Sequence, residues 1–221
     1  MLPDLSLHLL CILAKADMEG RICNDKNLML DQIALCEELA VEEGCFYRCF
    51  PYPSEHTMHT FLSDRKVWKD QQLYDDTWGT VYLMSGLPGT GKDTWISNNL
   101  CDIPMISLDE IRHELKISPT DNQGIVANFA KERAKDYLRH HKPFVWNATN
   151  ITQTTRRQLV SLFESYNAHV HIIYVETDWK SLHDRNKGRR DVVPEKVIER
   201  MLGKLELPEV YEAFKVDWIS V

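Results

Sequence analysis

The chain has 221 residues, of which 43% are hydrophobic, and a formal net charge of −7. That length suits one large domain or a domain with a smaller appendage, and that hydrophobic content is sufficient for a buried core. No stretch approaches the roughly 20 consecutive apolar residues of a membrane-spanning helix, and the short apolar run at 8–14 lacks the flanks of a signal peptide, so no membrane partner is expected.

The charge is concentrated in the first third of the chain. Residues 1–78 contain 14 acidic and 7 basic residues, whereas residues 79–221 contain 19 of each. The second part is therefore neutral, and overall acidity does not exclude a nucleic-acid substrate. The six cysteines show no repeated spacing, which is typical of reduced thiols, so we expect a cytoplasmic protein.

The first third is predicted to be mainly helical. Apolar residues at helical spacing predict helices over 5–19 and 28–43. The segment 44–79, interrupted by Pro51 and Pro53, is interpreted as a connector. We therefore expect a small helical N-terminal segment with a connector, followed by a separate domain from residue 79 onward.

The second part is predicted to be an α/β domain. Its candidate strands are 80–85, 104–107, 143–147, 170–175 and 216–220. Its candidate helices are 92–100, 109–116, 122–140, 154–166, 178–187 and 194–204. Alternation of this kind predicts a central parallel sheet flanked by helices, with ligands bound at the carboxyl ends of the strands.

A glycine-rich motif follows the first of these strands. The apolar run at 81–84 leads into Gly-Leu-Pro-Gly-Thr-Gly-Lys-Asp-Thr at 86–94, and a helix-compatible segment comes next. In this setting, backbone N–H groups and the positive end of the helix attract phosphate, and Lys92 reaches the β- and γ-phosphates. We call residues 86–94 the phosphate loop and predict that it binds ATP or another nucleoside triphosphate through Gly86, Pro88, Gly89, Thr90, Gly91, Lys92, Asp93 and Thr94.

One position of the phosphate loop departs from the usual pattern. Asp93 stands where a Ser or Thr hydroxyl usually holds Mg²⁺. Because Mg²⁺ prefers carboxylate and phosphate oxygens together with water, we hypothesise that Asp93 ligates Mg²⁺ directly.

The second predicted strand ends in a pair of charged residues. Asp109 and Arg112 are three residues apart, so a helix that begins here places them on one face. Beside the γ-phosphate, Asp109 could take a proton from an attacking hydroxyl and Arg112 could hold a neighbouring phosphate. The alternative is an ordinary capping box, in which Ser107 and Glu110 stabilise the start of a helix.

Polar residues also follow the third predicted strand. Thr149 and Asn150 are placed to contact substrate, although Asn150 or Thr152 could instead cap the next helix. Arg156 and Arg157, one turn further on, are interpreted as a solvated face. The six histidines of the second part show no metal-ligand spacing, and we expect His183 to be at the surface and His56 and His59 to be structural or solvent-facing.

A cluster of cations precedes Pro194, which is predicted to start a helix. Residues 185–194, which we call the lid, contain four cations around a glycine. An arginine that moves in from a lid stabilises the charge that builds up during phosphoryl transfer. We expect Arg185 to contact the nucleotide and either Arg189 or Arg190 to act on the transferred phosphate.

The order of these motifs resembles the 5′-hydroxyl polynucleotide kinases of the P-loop class. The resemblance covers roughly residues 80–221. It is carried by the phosphate loop, the Arg-rich lid, the Asp109-x-x-Arg112 pair and the Thr149-Asn150 strand end. The combinations Gly-Lys-Asp-Thr and Trp-Asn-Ala-Thr-Asn are most similar to the bacterial RNA-repair type that joins an HD-type phosphohydrolase module to the kinase.

The resemblance implies a role for each matching residue. In that family, the Lys corresponding to Lys92 contacts ATP phosphates, and the Asp corresponding to Asp109 is the general base for the 5′-OH. The Arg corresponding to Arg112 binds a phosphate of the acceptor strand, and a lid Arg supports the transferred phosphate. The implied function is transfer of the γ-phosphoryl group to the 5′-OH end of RNA or DNA in repair, with ATP and Mg²⁺ as cofactors and a phosphohydrolase or ligase activity in the same pathway.

The N-terminal segment is similar to an HD module over only a short stretch. Residues 13–21 resemble the closing helix of such modules, in which Asp17 would be the last metal ligand. No His-Asp pair precedes Asp17, and one carboxylate cannot hold a pair of metal ions. We therefore expect a remnant without phosphohydrolase activity.

Two other functions stay open at this point. Small P-loop kinases also use an Asp after the second strand and an Arg lid, so the acceptor could be a small alcohol, nucleoside or sugar. Alternatively, the chain could be a nucleotide-binding module without catalysis, with Asp93 and Asn147 as degenerate positions.

Overall fold

The structure is a computed structural model that describes residues 6–64, 67–118, 121–189 and 191–221. The predicted α/β fold with a central parallel sheet is confirmed, and its five strands lie in the order β2-β3-β1-β4-β5, all parallel to their neighbours. The strands are β1 (Thr80–Ser85), β2 (Met105–Ser107), β3 (Val145–Asn147), β4 (His169–Glu176) and β5 (Lys215–Ser220).

The helices lie close to their predicted positions, with one exception. They are α1 (Leu7–Gly20), α2 (Lys26–Glu42), α3 (Glu55–Asp64), α4 (Lys92–Asn99), α5 (Leu108–Leu115), α6 (Gln123–Arg139), α7 (Gln153–Glu164), α8 (Trp179–Lys187) and α9 (Glu195–Leu202). None of the described helices is long and apolar enough to span a bilayer.

The exception is α3, which lies inside the segment that we interpreted only as a connector. The Ser54 hydroxyl accepts a hydrogen bond from the Thr57 N–H at 3.0 Å and so caps the first turn. The buried Thr57 hydroxyl donates to the Gln71 carbonyl, and His59 lies 2.8 Å from Glu164 of α7. Because these contacts come from distant parts of the chain, local sequence did not reveal the helix.

The sheet is covered by helices on both faces. Successive residues of a strand point to opposite faces, so Leu83 of β1 packs in one hydrophobic cluster and Met84 in another. The larger cluster includes Phe144 and Phe163, whose rings meet edge to face at 5.4 Å between centroids. These clusters fix the strands from which the site residues project.

The first two helices form a separate, thinly covered pair. Cys11 of α1 and Ala40 of α2 pack with Phe46 in a small buried cluster. Lys15 of α1 bonds to Glu37 of α2 at 2.6 Å. Apolar side chains on the same two helices are exposed: Leu9, Leu10, Ile12, Leu13, Leu28, Leu35, Leu39 and Val41.

One interpretation of a solvated face is wrong. Arg156 is fully buried, and its guanidinium makes two parallel hydrogen bonds to Glu212, at 2.7 and 2.8 Å. It also donates to the carbonyls of Asn150 and Glu206. A charge is tolerated there because it is paired and its donors are satisfied. Arg157, the next residue, is exposed as expected.

Candidate functional site

The candidate site lies where the carboxyl ends of three neighbouring strands meet. β1 is central, with β3 beside it and β2 next to β3, so the segments that follow these strands lie along one edge. The Gly86 N–H donates to the Thr149 carbonyl at 2.9 Å, which joins the phosphate loop to the end of β3. This edge is where ligands bind in open α/β sheets.

The phosphate loop adopts a backbone that requires glycine. Gly86, Gly89 and Gly91 all have positive φ values, at 137°, 85° and 99°. A Cβ on Gly86 would lie 2.3 Å from the Val175 carbonyl oxygen, a separation that no side chain tolerates. The loop therefore turns tightly against the end of β4 and delivers the chain into α4 at Lys92.

Lys92 is buried at the base of the loop. Its Nζ donates to the carbonyls of Gly86 at 2.9 Å and Leu87 at 2.7 Å. Burial lowers the pKa of Lys92 to about 8, with Arg189 adding to the effect and the carboxylates of Asp93 and Asp109 opposing it. These charged neighbours show that Lys92 shares one electrostatic environment with the other candidate residues.

The remaining loop residues divide into buried and exposed members. Pro88 is buried, and Thr90 is buried with its hydroxyl donating to the Leu87 carbonyl at 2.9 Å. Thr94 is exposed in the first turn of α4, next to Asp93. The buried members hold the backbone of the loop, while the exposed first turn faces solvent, where phosphate and metal would enter.

Asp93 and Asn147, the two positions that the non-catalytic alternative treats as degenerate, are in contact. Asn147 at the end of β3 is buried, and its Nδ2 donates to Asp93 Oδ1 at 2.6 Å. An exposed carboxylate on the first turn of α4 is a suitable hard ligand for Mg²⁺, and the Asn147 amide would orient it. Sequence spacing did not reveal this pairing because the two residues are 54 positions apart.

Asp109 lies between two arginines. Arg112 Nη1 donates to Asp109 Oδ1, and Arg189 Nη2 donates to Oδ2 at 3.1 Å. Ser107 also caps α5 as the alternative held, since its hydroxyl accepts from the Glu110 N–H at 3.3 Å. The cap and the charged cluster therefore coexist, and the cap fixes the first turn on which Asp109 lies.

Gln123 supports the cluster and was not recognised from sequence. Its Oε1 accepts a hydrogen bond from Arg112 Nε at 2.8 Å, which orients the guanidinium towards Asp109. Gln123 is the first residue of α6, and its own amide donates to the carbonyls of Ser118 and Asp121. A glutamine at a helix start carries no functional signal in sequence, so only the folded chain identifies it.

The lid contacts the phosphate loop through Arg185, and its two ends are joined by hydrogen bonds between Asn186 and Val193. Arg185 Nη1 donates to the Thr90 carbonyl at 3.2 Å, which places its guanidinium against the phosphate loop. The Asn186 side chain donates to the Val193 carbonyl at 2.8 Å and accepts from the Val193 N–H at 3.1 Å. Arg190, the other candidate for the transferred phosphate, lies outside the described residues.

The two residues at the end of β3 differ in their surroundings. Asn150 is buried with a φ of 42°, and its Nδ2 donates to the Met84 carbonyl at 2.7 Å. This bond gives Asn150 a structural task, namely joining the end of β3 to β1. Thr149 is half-buried at the edge of the sheet, and its contact with substrate stays a prediction.

Comparison with known proteins identifies the family of this domain. A family model described as an AAA domain matches residues 81–208. Heterogeneous nuclear ribonucleoprotein U-like protein 2 of Mus musculus is 25% identical over 147 residues, which cover 58% of this chain and 20% of that protein. L-seryl-tRNA(Sec) kinase of Methanococcus maripaludis is 22% identical over 148 residues, which cover 64% of this chain and 58% of the kinase. The chain thus spans less than two thirds of either relative.

A solved structure shares the fold. The Pnkp1/Rnl/Hen1 RNA repair complex contains a chain that superposes with a TM-score of 0.52 and 15% sequence identity, over 63% of this chain and 47% of that one. At that identity, the likeness concerns the arrangement of the sheet and its helices.

Proposed function

The chain belongs to the AAA-domain family and has the fold of the P-loop kinases, and on that premise we propose that it transfers the γ-phosphoryl group of ATP to the 5′-OH end of RNA or DNA. The observation that carries this proposal is the placement of Asp109 between Arg112 and Arg189, at the same sheet edge as the phosphate loop. Next to a phosphate cradle, a carboxylate can act as the base for a hydroxyl, and two neighbouring cations can stabilise the charge of the transferred phosphoryl group.

The proposed reaction uses these groups in order. Asp109 accepts the proton of the acceptor hydroxyl, whose oxygen then bonds to the γ-phosphorus. The bond from that phosphorus to the β–γ bridging oxygen breaks, and ADP leaves with the electron pair. Arg189 leaves Asp109 Oδ2 and contacts the transferred phosphoryl group, while Lys92 exchanges its two loop carbonyls for the β- and γ-phosphates.

The proposed magnesium ligand is Asp93. Asp93 would hold the ion, with the Asn147 amide keeping the carboxylate oriented, and the bound ion would supply positive charge that offsets the charge of the phosphates. A direct carboxylate ligand adds a negative charge that a hydroxyl lacks. Asp93→Ser should therefore raise the Mg²⁺ concentration needed for half-maximal activity, and unchanged activity at low Mg²⁺ would contradict this role.

The names of similar proteins support a polynucleotide acceptor. One is a ribonucleoprotein, one is a kinase of a tRNA-borne serine, and one belongs to an RNA repair complex. Arg112, oriented by Gln123, would bind a phosphate of the acceptor strand near its 5′ end. A terminal hydroxyl requires only a few phosphate contacts, which agrees with a domain of zero net charge.

The test is a transfer assay with γ-labelled ATP, Mg²⁺ and a short 5′-OH oligonucleotide, in RNA and DNA forms of one sequence. Wild-type protein should label the oligonucleotide, and a 5′-phosphorylated copy should stay unlabelled. Asp109→Asn should lower the rate by roughly 10²–10⁴-fold while ATP binding persists, because it removes the base and keeps the shape of the side chain. Glu110→Gln, which changes the exposed neighbouring carboxylate, should leave the rate unchanged.

Two outcomes would replace the proposal. Turnover of a small alcohol, nucleoside or sugar without labelling of any oligonucleotide would assign the chain to the small-molecule kinases. ATP binding without transfer to any acceptor would identify a nucleotide-binding module.

A matched pair of lid variants, Arg189→Ala and Lys187→Ala, adds a second check. If Arg189 stabilises the transferred phosphoryl group, the rate should fall by about 10³-fold for Arg189→Ala only.

We also propose the division of the chain at residue 79 and the origin of its first third. Residues 1–78 would be a remnant of an HD module without activity, and a phosphohydrolase or ligase in the same pathway would complete the repair. Asp17, the residue that matches an HD ligand, pairs with Arg21 on the exposed face of α1 at 2.7 Å. Phosphodiesterase activity that is lost in Asp17→Asn would contradict the assignment of no activity.

A further inference from the structure

Three side chains from distant segments meet at the edge of the sheet where its strands begin, opposite the edge that carries the candidate kinase site. His56 lies in the first turn of α3, Asp75 lies between α3 and β1, and His169 is the first residue of β4. Since the phosphate loop follows the carboxyl end of β1, this cluster lies at the amino edge of the parallel sheet. The kinase reaction therefore does not use it.

The three ligand atoms form a nearly equilateral triangle. His169 Nε2 lies 3.4 Å from His56 Nδ1 and 3.5 Å from Asp75 Oδ1, and His56 Nδ1 lies 3.8 Å from the same oxygen. Ligands at about 2.0–2.1 Å around tetrahedral zinc stand roughly 3.3–3.4 Å apart. The observed triangle would need to contract by only a few tenths of an ångström.

We propose that His56, Asp75 and His169 form a binding site for a divalent transition metal, with zinc as the best match, that fastens α3 and the following segment to the sheet. Two imidazoles and one carboxylate match zinc, whereas magnesium and calcium select oxygen ligands. Among the described residues, this is the cluster of three or more His, Cys, Asp or Glu side chains that could hold an ion.

The surroundings prepare the cluster for a metal. The ring of Phe214 stacks on His169 with 3.5 Å between centroids and an angle of 7°, which fixes the plane of the imidazole. His169 Nε2 faces the ligand atoms of both His56 and Asp75, so the nitrogen that would bind a metal is directed into the cluster.

The site also has room for a fourth ligand. The side chains of His56 and His169 are 19% and 13% exposed, whereas that of Asp75 is 43% exposed. Solvent can therefore reach the cluster from the Asp75 side and supply a water ligand. The competing explanation is a hydrogen-bonded cluster without metal, in which the Thr77 hydroxyl donates to Asp75 Oδ1 at 2.6 Å and lies 3.2 Å from His169 Nε2.

The experiment is a zinc titration of the full chain after treatment with chelator, in excess Mg²⁺ to occupy oxygen-ligand sites. Affinity is measured by competition with a zinc indicator, and unfolding temperature is followed with and without zinc. Wild-type protein should bind zinc with 1:1 stoichiometry and unfold at a higher temperature when zinc is present. Asp75→Asn and His56→Gln should each weaken binding by roughly 100-fold and abolish the shift.

A matched control separates this cluster from other histidine–carboxylate pairs. His171, on the same face of β4, lies 2.9 Å from Asp217, and no third ligand joins this pair among the described residues, so His171→Gln should bind zinc as wild type does. Exposed thiols such as Cys23 and Cys101 could also bind metal. The visible spectrum with Co²⁺ distinguishes them, because thiolate ligands add charge-transfer bands that nitrogen and oxygen ligands lack.

Equal zinc affinity in wild type and Asp75→Asn would overturn the proposal, as would thiolate bands in the cobalt spectrum of the bound ion. A loss of unfolding temperature in Asp75→Asn that is the same with and without zinc would identify the hydrogen-bonded cluster instead. Asp75→Asn preserves shape at a half-exposed position, so loss of folding does not obscure the result.

Discussion

The sheet region buries its apolar side chains, whereas the N-terminal helix pair leaves many of its apolar side chains exposed. In β4, Val170, Ile172 and Ile173 are completely buried. In α1 and α2, Leu9, Leu13 and Leu35 stay more than 60% exposed. Since stability follows the apolar area removed from water, the sheet region holds most of the free energy of folding and the helix pair contributes little. Helical spacing of apolar residues thus predicts a helix without showing that its apolar face is covered.

The largest contrast is expected between two arginines. Arg156→Met should lower the free energy of unfolding by about 3–5 kcal/mol, because it leaves the buried Glu212 carboxylate unpaired. Arg21→Met, which removes the exposed pair with Asp17, should cost at most about 0.5 kcal/mol. Urea denaturation of both variants checks this. Adding Glu212→Leu to Arg156→Met should restore part of the loss, and similar costs for the two single variants would remove the contrast.

The next contrast compares aliphatic side chains. Ile172→Ala should cost about 2–5 kcal/mol, because it opens a cavity in the centre of the sheet where Ile172 is 0% exposed. Leu13→Ala, at a position 66% exposed, should change the free energy of unfolding by about 0.5 kcal/mol or less. Urea denaturation measures both. A large loss in Leu13→Ala would mean that the exposed stripe of α1 is covered in solution.

The sheet region also contains a destabilising group, Lys92. Its pKa falls from the usual 10.5 to about 8, so the unfolded chain holds the proton more tightly than the folded chain. The resulting penalty is full below about pH 8 and fades as the pH rises towards 10.5. Without nucleotide, the free energy of unfolding of wild type relative to Lys92→Met should rise by roughly 1–2 kcal/mol between about pH 7.5 and about 9.5.

Urea denaturation of both proteins at each pH gives this difference, and subtracting the variant removes the titration of cysteines and tyrosines. A difference that is constant with pH would mean that the pKa of Lys92 is the same in both states. Burial of the charged Lys92 in the phosphate loop therefore lowers the free energy of unfolding, and the helix pair α1 and α2 contains no comparable buried charge among its described residues.

The smallest effect is expected at the contact between α1 and α2. Lys15→Met removes the pair with Glu37, which is partly exposed, and should cost less than about 1 kcal/mol. The loss should shrink further at high salt, because exposed charges are screened. Hydrogen exchange of the α1 and α2 amides at low and high ionic strength measures it. A loss that does not depend on salt would indicate packing of the Lys15 stem as the cause.

Local patterns were sufficient for most of the fold. The apolar runs of β1 and β4 and the helical spacing between them follow from periodicity, and the element bounds differ by one or two residues. α3 was missed because Pro51 and Pro53 suggested irregular chain, while the contacts that stabilise it come from Gln71 and Glu164. Contacts of this kind come from residues that are distant in sequence, so the sequence of α3 itself does not indicate them.

The candidate site shows the same limit. Lys92 and Asp109 were identified because each belongs to a short motif at the end of a strand. Glu212 pairs with the buried Arg156, and Gln123 orients Arg112. Neither residue belongs to a sequence motif, because each role depends on a partner that only folding brings near. The role of Asn150 at the substrate stays a prediction, and the hydrogen bond from its amide to the Met84 carbonyl is a contact that sequence did not reveal.

Two hydrogen bonds between Asn186 and Val193 hold the two ends of the lid together. They join the last turn of α8 to the residue before Pro194, on either side of residues 187–192. Arg189 is three residues from Asn186, and an extended chain spans at most about 3.6 Å per residue. Its Cα therefore stays within about 11 Å of that of Asn186, a residue that lies against Gly89 of the phosphate loop.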